Sequence, residues 1–279
     1  YRAYLAQRGS VQVGQTEIRL QGPRQPRRLQ PTDFRLETTT VWSFPQRGDW
    51  ATHSPKYRGN WAPQIPRNLI LRYTQPGEVV LDQMMGGGTT LIECRLTGRR
   101  GIGVDINLDA VMLAHDALNF YQNSLLEPAS AVPEVDIRLY QGDARELDLV
   151  PSESVDLVAT HPPYANIIGY SKTTDHRPEG DLSLVRGIAD FVEEMGRVAE
   201  EAYRVLRPGR YCAILAEDTR RRAHYVPIAF RVLQAFLEAG FVLKEDVVKA
   251  QWHTMTERFW AARTKGRFLA VKGKEVLQA

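Results

Sequence analysis

The sequence lacks the features that mark secreted, membrane-spanning or zinc-binding proteins. Its 279 residues include only 2 cysteines, too few for a disulfide framework and without metal-ligand spacing. No apolar run approaches the roughly 18 residues that a membrane-spanning helix needs, and the N-terminus has no signal-peptide stretch. Because Cys94 and Cys212 both lie in apolar segments, we expect buried thiols, no metal and a cytoplasmic protein.

An excess of charge of one sign is also missing, although the charges are unevenly placed. The net charge is only +3, yet basic residues cluster in residues 1–30, in the segment 219–224 and after residue 257. Basic clusters favour phosphate contacts, because each neutralised phosphate releases condensed counterions. A solvated surface explains any single cluster equally well, so the charges indicate nucleic acid only together with the motifs elsewhere in the chain.

From residue 78 onward, apolar strands alternate with amphipathic helices, which is the pattern of a doubly wound α/β sheet. The pattern predicts strands at residues 78–84, 100–105, 136–141, 155–159 and 211–216. It predicts helices at residues 89–96, 108–119 and 184–206, and from Pro227 to Gly240. The larger part of the chain is therefore expected to be one α/β domain.

The two ends of the chain depart from this alternation. Residues 241–252 and 267–273 read as two strands with no helix between them, and such strands pair antiparallel. They predict a hairpin at one edge of the sheet, joined by a polar connection at 252–266. Residues 1–56 are basic, then aromatic, and have no periodicity. We interpret them as an N-terminal arm in front of a domain of residues 57–279.

A glycine-rich turn follows the first predicted strand in the stretch EVVLDQMMGGGTTLIEC. Its glycines let the backbone approach a ligand where a Cβ would clash, and the next helix presents free N–H groups there. A phosphate-binding loop would need a lysine after the turn, and a dinucleotide site would need glycine where Leu91 stands. Asp82 precedes the glycines instead, and a carboxylate suits an ammonium group better than a pyrophosphate.

Two further acids stand at the ends of the next predicted strands. Asp105 ends the second strand, where an acid accepts hydrogen bonds from ribose hydroxyls, and Asp143 follows the third strand. A plain structural turn remains the alternative for the glycines alone. Together with three strand-end acids, they favour S-adenosylmethionine as the ligand.

The stretch LDQMMGGGTTLIE resembles the cofactor motif of the amino-methyltransferases of DNA, usually Asp-Pro-Phe-x-Gly-Ser-Gly-Thr-Thr. The resemblance implies a seven-stranded, Rossmann-like methyltransferase sheet with one antiparallel edge strand. It places the loop around the methionine part of the cofactor, Asp105 at the ribose, Asp143 at the adenine and residues 60–68 beside the cofactor. The cofactor-binding positions are Asp82, Met84, Gly86, Gly88, Thr89, Thr90, Asp105, Ile106, Asp143 and Ala144.

The fourth predicted strand ends in His161-Pro162-Pro163-Tyr164, which resembles the Asp/Asn/Ser-Pro-Pro-Tyr signature of enzymes that methylate an exocyclic amine. Such an amine is a poor nucleophile until acceptors on its hydrogens, here the first side chain and the first proline carbonyl, draw it towards a tetrahedral geometry. The prolines fix φ and hold that carbonyl in place, and the tyrosine can stack on a flipped base. A turn after a strand, or an exposed proline-rich motif, is the alternative.

The histidine departs from that signature, and it sets a test. A neutral imidazole can accept a hydrogen bond, whereas a charged one would repel the positive charge that develops on the amine. We therefore expect activity to fall at low pH as His161 becomes charged.

The resemblance implies a site-specific DNA methyltransferase that uses S-adenosylmethionine, and we prefer N4 of cytosine to N6 of adenine because a non-acidic first residue is commoner in the N4 branch. The alternatives are an RNA base amino-methyltransferase and a non-catalytic nucleic-acid-binding partner of a methyltransferase. A homodimer and a cognate restriction endonuclease are possible partners. DNA contacts are expected from the N-terminal arm, the 252–266 connection, and the residues Tyr170, Lys172, Arg220, Arg221 and Arg222.

Overall fold

The computed structural model of the chain describes residues 1–13, 16–57, 59–121, 132–163, 178–221 and 224–250. In chain order its helices and strands are α1 (Arg2–Gln7), β1 (Ser10–Val13), β2 (Thr16–Arg19), β3 (Val41–Ser43), α2 (Gln64–Tyr73), β4 (Val79–Asp82), α3 (Thr89–Thr97), β5 (Arg100–Asp105), α4 (Leu108–Leu118), β6 (Ile137–Gln141), β7 (Val155–Thr160), α5 (Ile188–Val205), β8 (Leu206–Ile214), β9 (Thr219–Arg221), β10 (His224–Val226), α6 (Ile228–Glu238) and β11 (Val248–Ala250).

The main sheet has five strands in the order β6-β5-β4-β7-β8. All four pairings between these neighbours are parallel. The chain moves outward in one direction from β4 to β6 and then crosses back to β7 on the other side of β4. The strand order therefore reverses between β4 and β7, and ligands of open α/β sheets bind at the carboxyl ends of strands at such a switch point.

The two faces of the sheet are covered by different helices. Side chains along a strand point alternately to opposite faces, and the apolar residues of the central strands follow this rule. Val80 and Leu157 pack into the cluster that contains residues of α2, α3 and α4, whereas Leu81 and Val158 pack against α5 and α6. All four side chains are fully buried, as expected for parallel strands that are covered on both faces. The buried acid of β7, Asp156, accepts from Val79 N at 2.9 Å and from Arg207 NH1 at 2.6 Å.

The amino-terminal segment, described at residues 1–13 and 16–22, lies against α4. The hairpin of β1 and β2 is antiparallel, and Gln12 N donates to Asp109 Oδ2 at 2.9 Å. Asp116, also on α4, accepts from Tyr1 Oη at 2.7 Å and from Gly22 N at 2.8 Å. These contacts hold the amino-terminal segment against the domain, while the predicted boundary at residue 57 stays a prediction.

A second attachment of the arm is centred on the buried carboxylate of Glu93, on α3. Its Oε1 accepts from Trp50 Nε1 and lies 2.7 Å from His53 Nε2. Its Oε2 accepts from Arg67 NH1 at 2.8 Å. Burying a charge is costly unless it is paired and hydrogen-bonded, so this network ties the aromatic part of the arm to the helix that follows the glycine loop.

The structure confirms the predicted alternation of strands and helices, with the ends of most elements shifted by a few residues. It does not confirm seven strands. Among the described residues, 241–247 form no strand, and β11 pairs in parallel with β3 instead of joining the main sheet. The predicted strand at 241–252 is therefore wrong over residues 241–247, whereas residues 248–250 do form a strand, β11, outside the main sheet. The predicted partner at 267–273 lies outside the described residues.

The reason for that error lies in where the apolar side chains of the segment point. Phe241 packs edge-on against Tyr203 and beside Phe236, so it closes the end of α6 instead of entering a strand ladder. Val242 is 89% exposed, which does not fit a strand buried at a sheet edge. No helix of the described part of the chain is long and apolar enough to cross a bilayer.

Candidate active site

The glycine loop lies at the carboxyl end of β4, beside the switch point. Gly86 and Gly88 have φ values of 51° and 80°, a region that glycine adopts without strain. A Cβ on Gly88 would lie 2.9 Å from the Cβ of Ala114 on α4. Gly88 is therefore required for the close approach of α3 and α4, in addition to the cofactor role that the sequence predicts for it.

Asp82 is the buried centre of the loop. Its Oδ2 accepts from Thr90 Oγ1, and its Oδ1 accepts from Met84 N at 3.2 Å and from Thr160 Oγ1 at 3.1 Å. Burial raises the pKa of Asp82 to about 6, although these three hydrogen bonds oppose the shift. One carboxylate thus joins the loop, the first turn of α3 and the last residue of β7.

Asp105 receives the loop from the neighbouring strand. Its Oδ2 accepts from Gly86 N at 2.9 Å and its Oδ1 from Asn107 N at 2.9 Å. Burial raises its pKa to about 6, and the nearby charge of Asp181 adds to the effect. A carboxylate has about four acceptor positions, so both oxygens can also accept hydrogen bonds from ribose hydroxyls.

Two residues that the sequence did not single out by role, Tyr57 and Asn60, cover the glycine turn. The ring of Tyr57 lies 2.8 Å from the position that a Cβ on Gly86 would take, and the Asn60 amide lies 2.7 Å from that position on Gly87. Asn60 Oδ1 also accepts from Gly87 N at 3.2 Å. Tyr57 and Asn60 therefore narrow the turn, and two acids lie at its rim, which suits the cationic methionine end and the ribose of S-adenosylmethionine.

The third predicted acid, Asp143, is held by a neighbour. Arg145 donates to it from the backbone N and from Nε, at 2.9 Å each. Burial pushes the pKa of Asp143 upward, but the hydrogen bonds and the charge of Arg145 outweigh it and hold that pKa below its usual range. Gln83, which stands where the family has proline, donates to the carbonyl of buried Ala144 at 3.2 Å. This bond fixes to the loop the segment of Asp143 and Ala144, which the resemblance assigns to the adenine.

The catalytic corner begins one residue after Thr160, the residue that binds Asp82. The His161 ring stacks on the buried indole of Trp61, with centroids 5.8 Å apart and planes at 17°. Burial lowers the pKa of His161 to about 4, against a raising effect of its hydrogen bond to the backbone of Gly59, while Lys249 lowers it further. The imidazole is therefore neutral at physiological pH.

The structure brings Asp82, Asp105 and His161 to the carboxyl ends of three adjacent strands. Met84 and Ile106 are half-buried beside the loop, and Thr89 and Thr90 are buried at the start of α3. Pro162 and Pro163 follow His161, whereas Tyr164, Tyr170, Lys172 and Arg222 lie outside the described residues. Arg220 and Arg221 belong to β9, which pairs with β10 in a separate two-stranded sheet.

The fold and this corner define a class of protein. A parallel α/β sheet, a glycine loop at its switch point and an acid ending the next strand form a Rossmann-like α/β fold, the type to which the S-adenosylmethionine methyltransferases belong. The described residues contain no group of three or more histidine, cysteine or acidic side chains that could hold a metal ion.

Comparison with known proteins narrows this class. Residues 13–116 match the model of a DNA methylase family. The chain is 34% identical over 65 residues to a type II methyltransferase of Methanocaldococcus jannaschii, covering 23% of this chain and 12% of that protein. It is 29% identical over 90 residues to a type II methyltransferase of Xanthomonas campestris pv. cyanopsidis, covering 31% of this chain and 30% of that protein.

A relative with a different substrate is also similar. A tRNA (guanine(10)-N2)-dimethyltransferase of M. jannaschii is 33% identical over 115 residues, which cover 40% of this chain and 31% of that protein. The chain spans less than a third of the length of these curated relatives in each match. The matches confirm the resemblance to the DNA amino-methyltransferase family and the prediction of S-adenosylmethionine as cofactor.

Proposed function

We propose that the protein transfers a methyl group from S-adenosylmethionine to the exocyclic amine of a DNA base, with N4 of cytosine preferred to N6 of adenine. The observation that carries the proposal is the bond from Thr160 Oγ1 to Asp82 Oδ1. It joins the end of β7, where the His-Pro-Pro corner starts, to the acid of the cofactor loop. A group held by the loop and an amine held by the corner would therefore be neighbours.

The cofactor would supply an electrophilic methyl group, and the residues of the chain would prepare the amine. His161 donates one ring N–H to the backbone of Gly59, since that bond raises its pKa, and a neutral imidazole then has its other nitrogen as an acceptor. That nitrogen would accept from one hydrogen of the amine and the Pro162 carbonyl from the other. A neutral ring does not repel the positive charge that develops on the amine.

Methyl transfer itself tests the proposal. The protein would be incubated with methyl-labelled S-adenosylmethionine and either genomic DNA or total tRNA, and the digested nucleosides would be separated. We expect labelled N4-methylcytosine from DNA. His161→Asn should keep this activity, because an amide oxygen can also accept a hydrogen bond, whereas His161→Ala should lower the rate of label transfer by at least tenfold. Full activity of His161→Ala would refute the role of the corner.

RNA is the second candidate, because the tRNA dimethyltransferase relative matches a longer stretch than either type II methyltransferase does. Labelled N2-methylguanosine from tRNA, with no label in DNA, would decide for it. A non-catalytic partner would transfer no label and show no heat of S-adenosylmethionine binding by calorimetry. A second subunit and a cognate restriction endonuclease remain predictions.

A further inference from the structure

Among the residues that the structure describes, the guanidinium of Arg47 forms no ion pair. Its NH1 donates to the backbone carbonyl of Asn60 at 3.0 Å. Its Nε and NH2 are shielded from solvent, and within the described part of the chain neither has a hydrogen-bond acceptor. A buried donor left unpaired is costly, and more so when it is charged. Two adjacent N–H donors on one edge of a guanidinium match the two oxygens of a phosphate.

This guanidinium is attached to the candidate active site. Asn60, whose carbonyl binds it, also contacts Gly87 of the glycine loop through its side chain. The next residue, Trp61, stacks on His161. The position of Arg47 is further set by its neighbours, because Gln64 donates to the Gln46 carbonyl at 2.7 Å. Arg47 is thus held between the N-terminus of α2 and the residues that flank the catalytic corner.

A second cation lies in the same place. The parallel pairing of β3 with β11 puts Lys249 opposite Trp42, five residues before Arg47. The charge of Arg47 contributes to lowering the pKa of Lys249, after burial, while Glu217 opposes the shift. Lys249 in turn acts on the pKa of His161. Two half-buried cations that repel each other therefore stand beside the catalytic corner, and the single charge of Glu217 offsets only one of them.

The geometry points to a phosphate site: Arg47 and Lys249 bind the nucleic-acid phosphate next to the target nucleotide and hold its base at His161. This inference rests on the proposed function, which supplies the nucleic acid. In this site Arg47 is a bidentate donor through Nε and NH2, and Lys249 contributes one ammonium charge on a flexible side chain. Lys249 reaches this place only because β11 pairs with the arm and not with the main sheet.

The carboxylate of the cofactor is the competing ligand, because it too is an anion near the glycine loop. A phosphate is favoured by position, since Arg47 binds the carbonyl of Asn60, the residue before Trp61, and Lys249 acts on His161, so both cations lie on the side of the corner where the amine would be held. The two ligands also differ in a measurable way. Phosphate contacts release counterions, so each adds about 0.9 to the slope of log affinity against log salt for duplex DNA.

The test measures binding to a fluorescein-labelled DNA duplex of random sequence by anisotropy, with S-adenosylhomocysteine present and over a series of salt concentrations. We expect Arg47→Gln and Lys249→Gln each to reduce the salt slope by about 0.9 and to weaken binding by about tenfold at low salt. Arg47→Lys should keep most of the slope. Arg231→Gln, which removes an exposed charge of α6 on the other face, is the matched control and should change neither quantity.

Calorimetry with S-adenosylhomocysteine alone provides the second readout. The inference holds if the salt slope falls while the cofactor affinity of Arg47→Gln stays unchanged. It is overturned if the slope is unchanged in both variants, or if cofactor affinity falls instead, which would assign Arg47 to the carboxylate. If Arg47→Gln does not fold, the pair Lys249→Gln and Arg47→Lys decides. A changed slope in a protein that methylates no nucleic acid would refute the proposed function and leave the phosphate site standing.

Discussion

Removal of the Trp61 indole should change the pH dependence of methyl transfer. The ring of His161 is buried against Trp61, and burial is the largest cause of its low pKa of about 4. In Trp61→Ala water reaches the imidazole, and its pKa should rise towards the ordinary value of about 6.5. At pH 5.5 a pKa of about 4 leaves roughly 3% of the rings charged, whereas one of about 6.5 charges roughly 90%.

Activity at pH 5.5 should therefore fall by up to about tenfold in Trp61→Ala, relative to its own value at pH 8. Activity should fall, not rise, at low pH, because only the neutral ring can accept from the amine and the ring becomes protonated below its pKa. Trp61→Phe keeps an aromatic stack and is the matched control. Initial rates of label transfer from pH 5 to 8, at constant ionic strength, would give the profile.

Two carboxyl groups titrate in the same range, so the histidine must be separated from them. Asp82 and Asp105 both have pKa values of about 6, and an acid limb near that pH in the wild-type protein belongs to them. Histidine-selective NMR titration observes the ring directly. A wild-type His161 resonance that titrates near 6.5, or a Trp61→Ala profile identical to wild type at every pH, would refute the reasoning.

Three further predictions concern the loop. Thr160→Val keeps the shape of the side chain but removes a donor to buried Asp82, so we expect S-adenosylhomocysteine affinity to fall about tenfold by calorimetry, and an unchanged affinity would contradict the link. Gly88→Ala forces a Cβ to 2.9 Å from that of Ala114 at a φ of 80°, and should lower unfolding free energy in urea by about 2 kcal/mol or more. Cofactor affinity should rise with pH through about 6, as Asp82 and Asp105 lose protons and attract its positive charge; flat affinity from pH 5 to 7 would contradict this.

The central sheet and the cofactor loop could be predicted from sequence because their signals are local. The run Val79–Asp82, the glycines and Asp105 lie within one strand-turn-helix-strand unit. Their spacing in the sequence therefore determines which of them lie side by side in the fold. Thr160 carries no such signal. Its bond to Asp82 forms only when β7 is placed beside β4, which a strand pattern alone does not specify.

The residues around the corner were harder to predict because the irregular arm brings them there. Residues 41–61 have no periodicity, and their position depends on contacts with distant partners such as Glu93 and β11. Arg47 and Tyr57 appear in the sequence as an ordinary basic and an ordinary aromatic residue. The error over residues 241–247 has a related origin, because Phe241 packs on Tyr203 of α5 and Phe236 of α6, and no local rule distinguishes such a contact from a place in an edge strand.

Burial acts on three ionisable groups of the corner and moves all of them towards their neutral forms. It raises the pKa values of Asp82 and Asp105 to about 6 and lowers that of His161 to about 4. Between these values the acids are protonated and the imidazole is neutral, so the site has lost its negative charge before it gains a positive one. Above pH 6 both carboxylates are charged while His161 stays neutral. At physiological pH the site therefore has both charged carboxylates, which attract a cationic methyl donor, and a neutral ring, which accepts from an amine. An exposed histidine has a higher pKa and would become charged at a higher pH, so the pH range in which both conditions hold would be narrower.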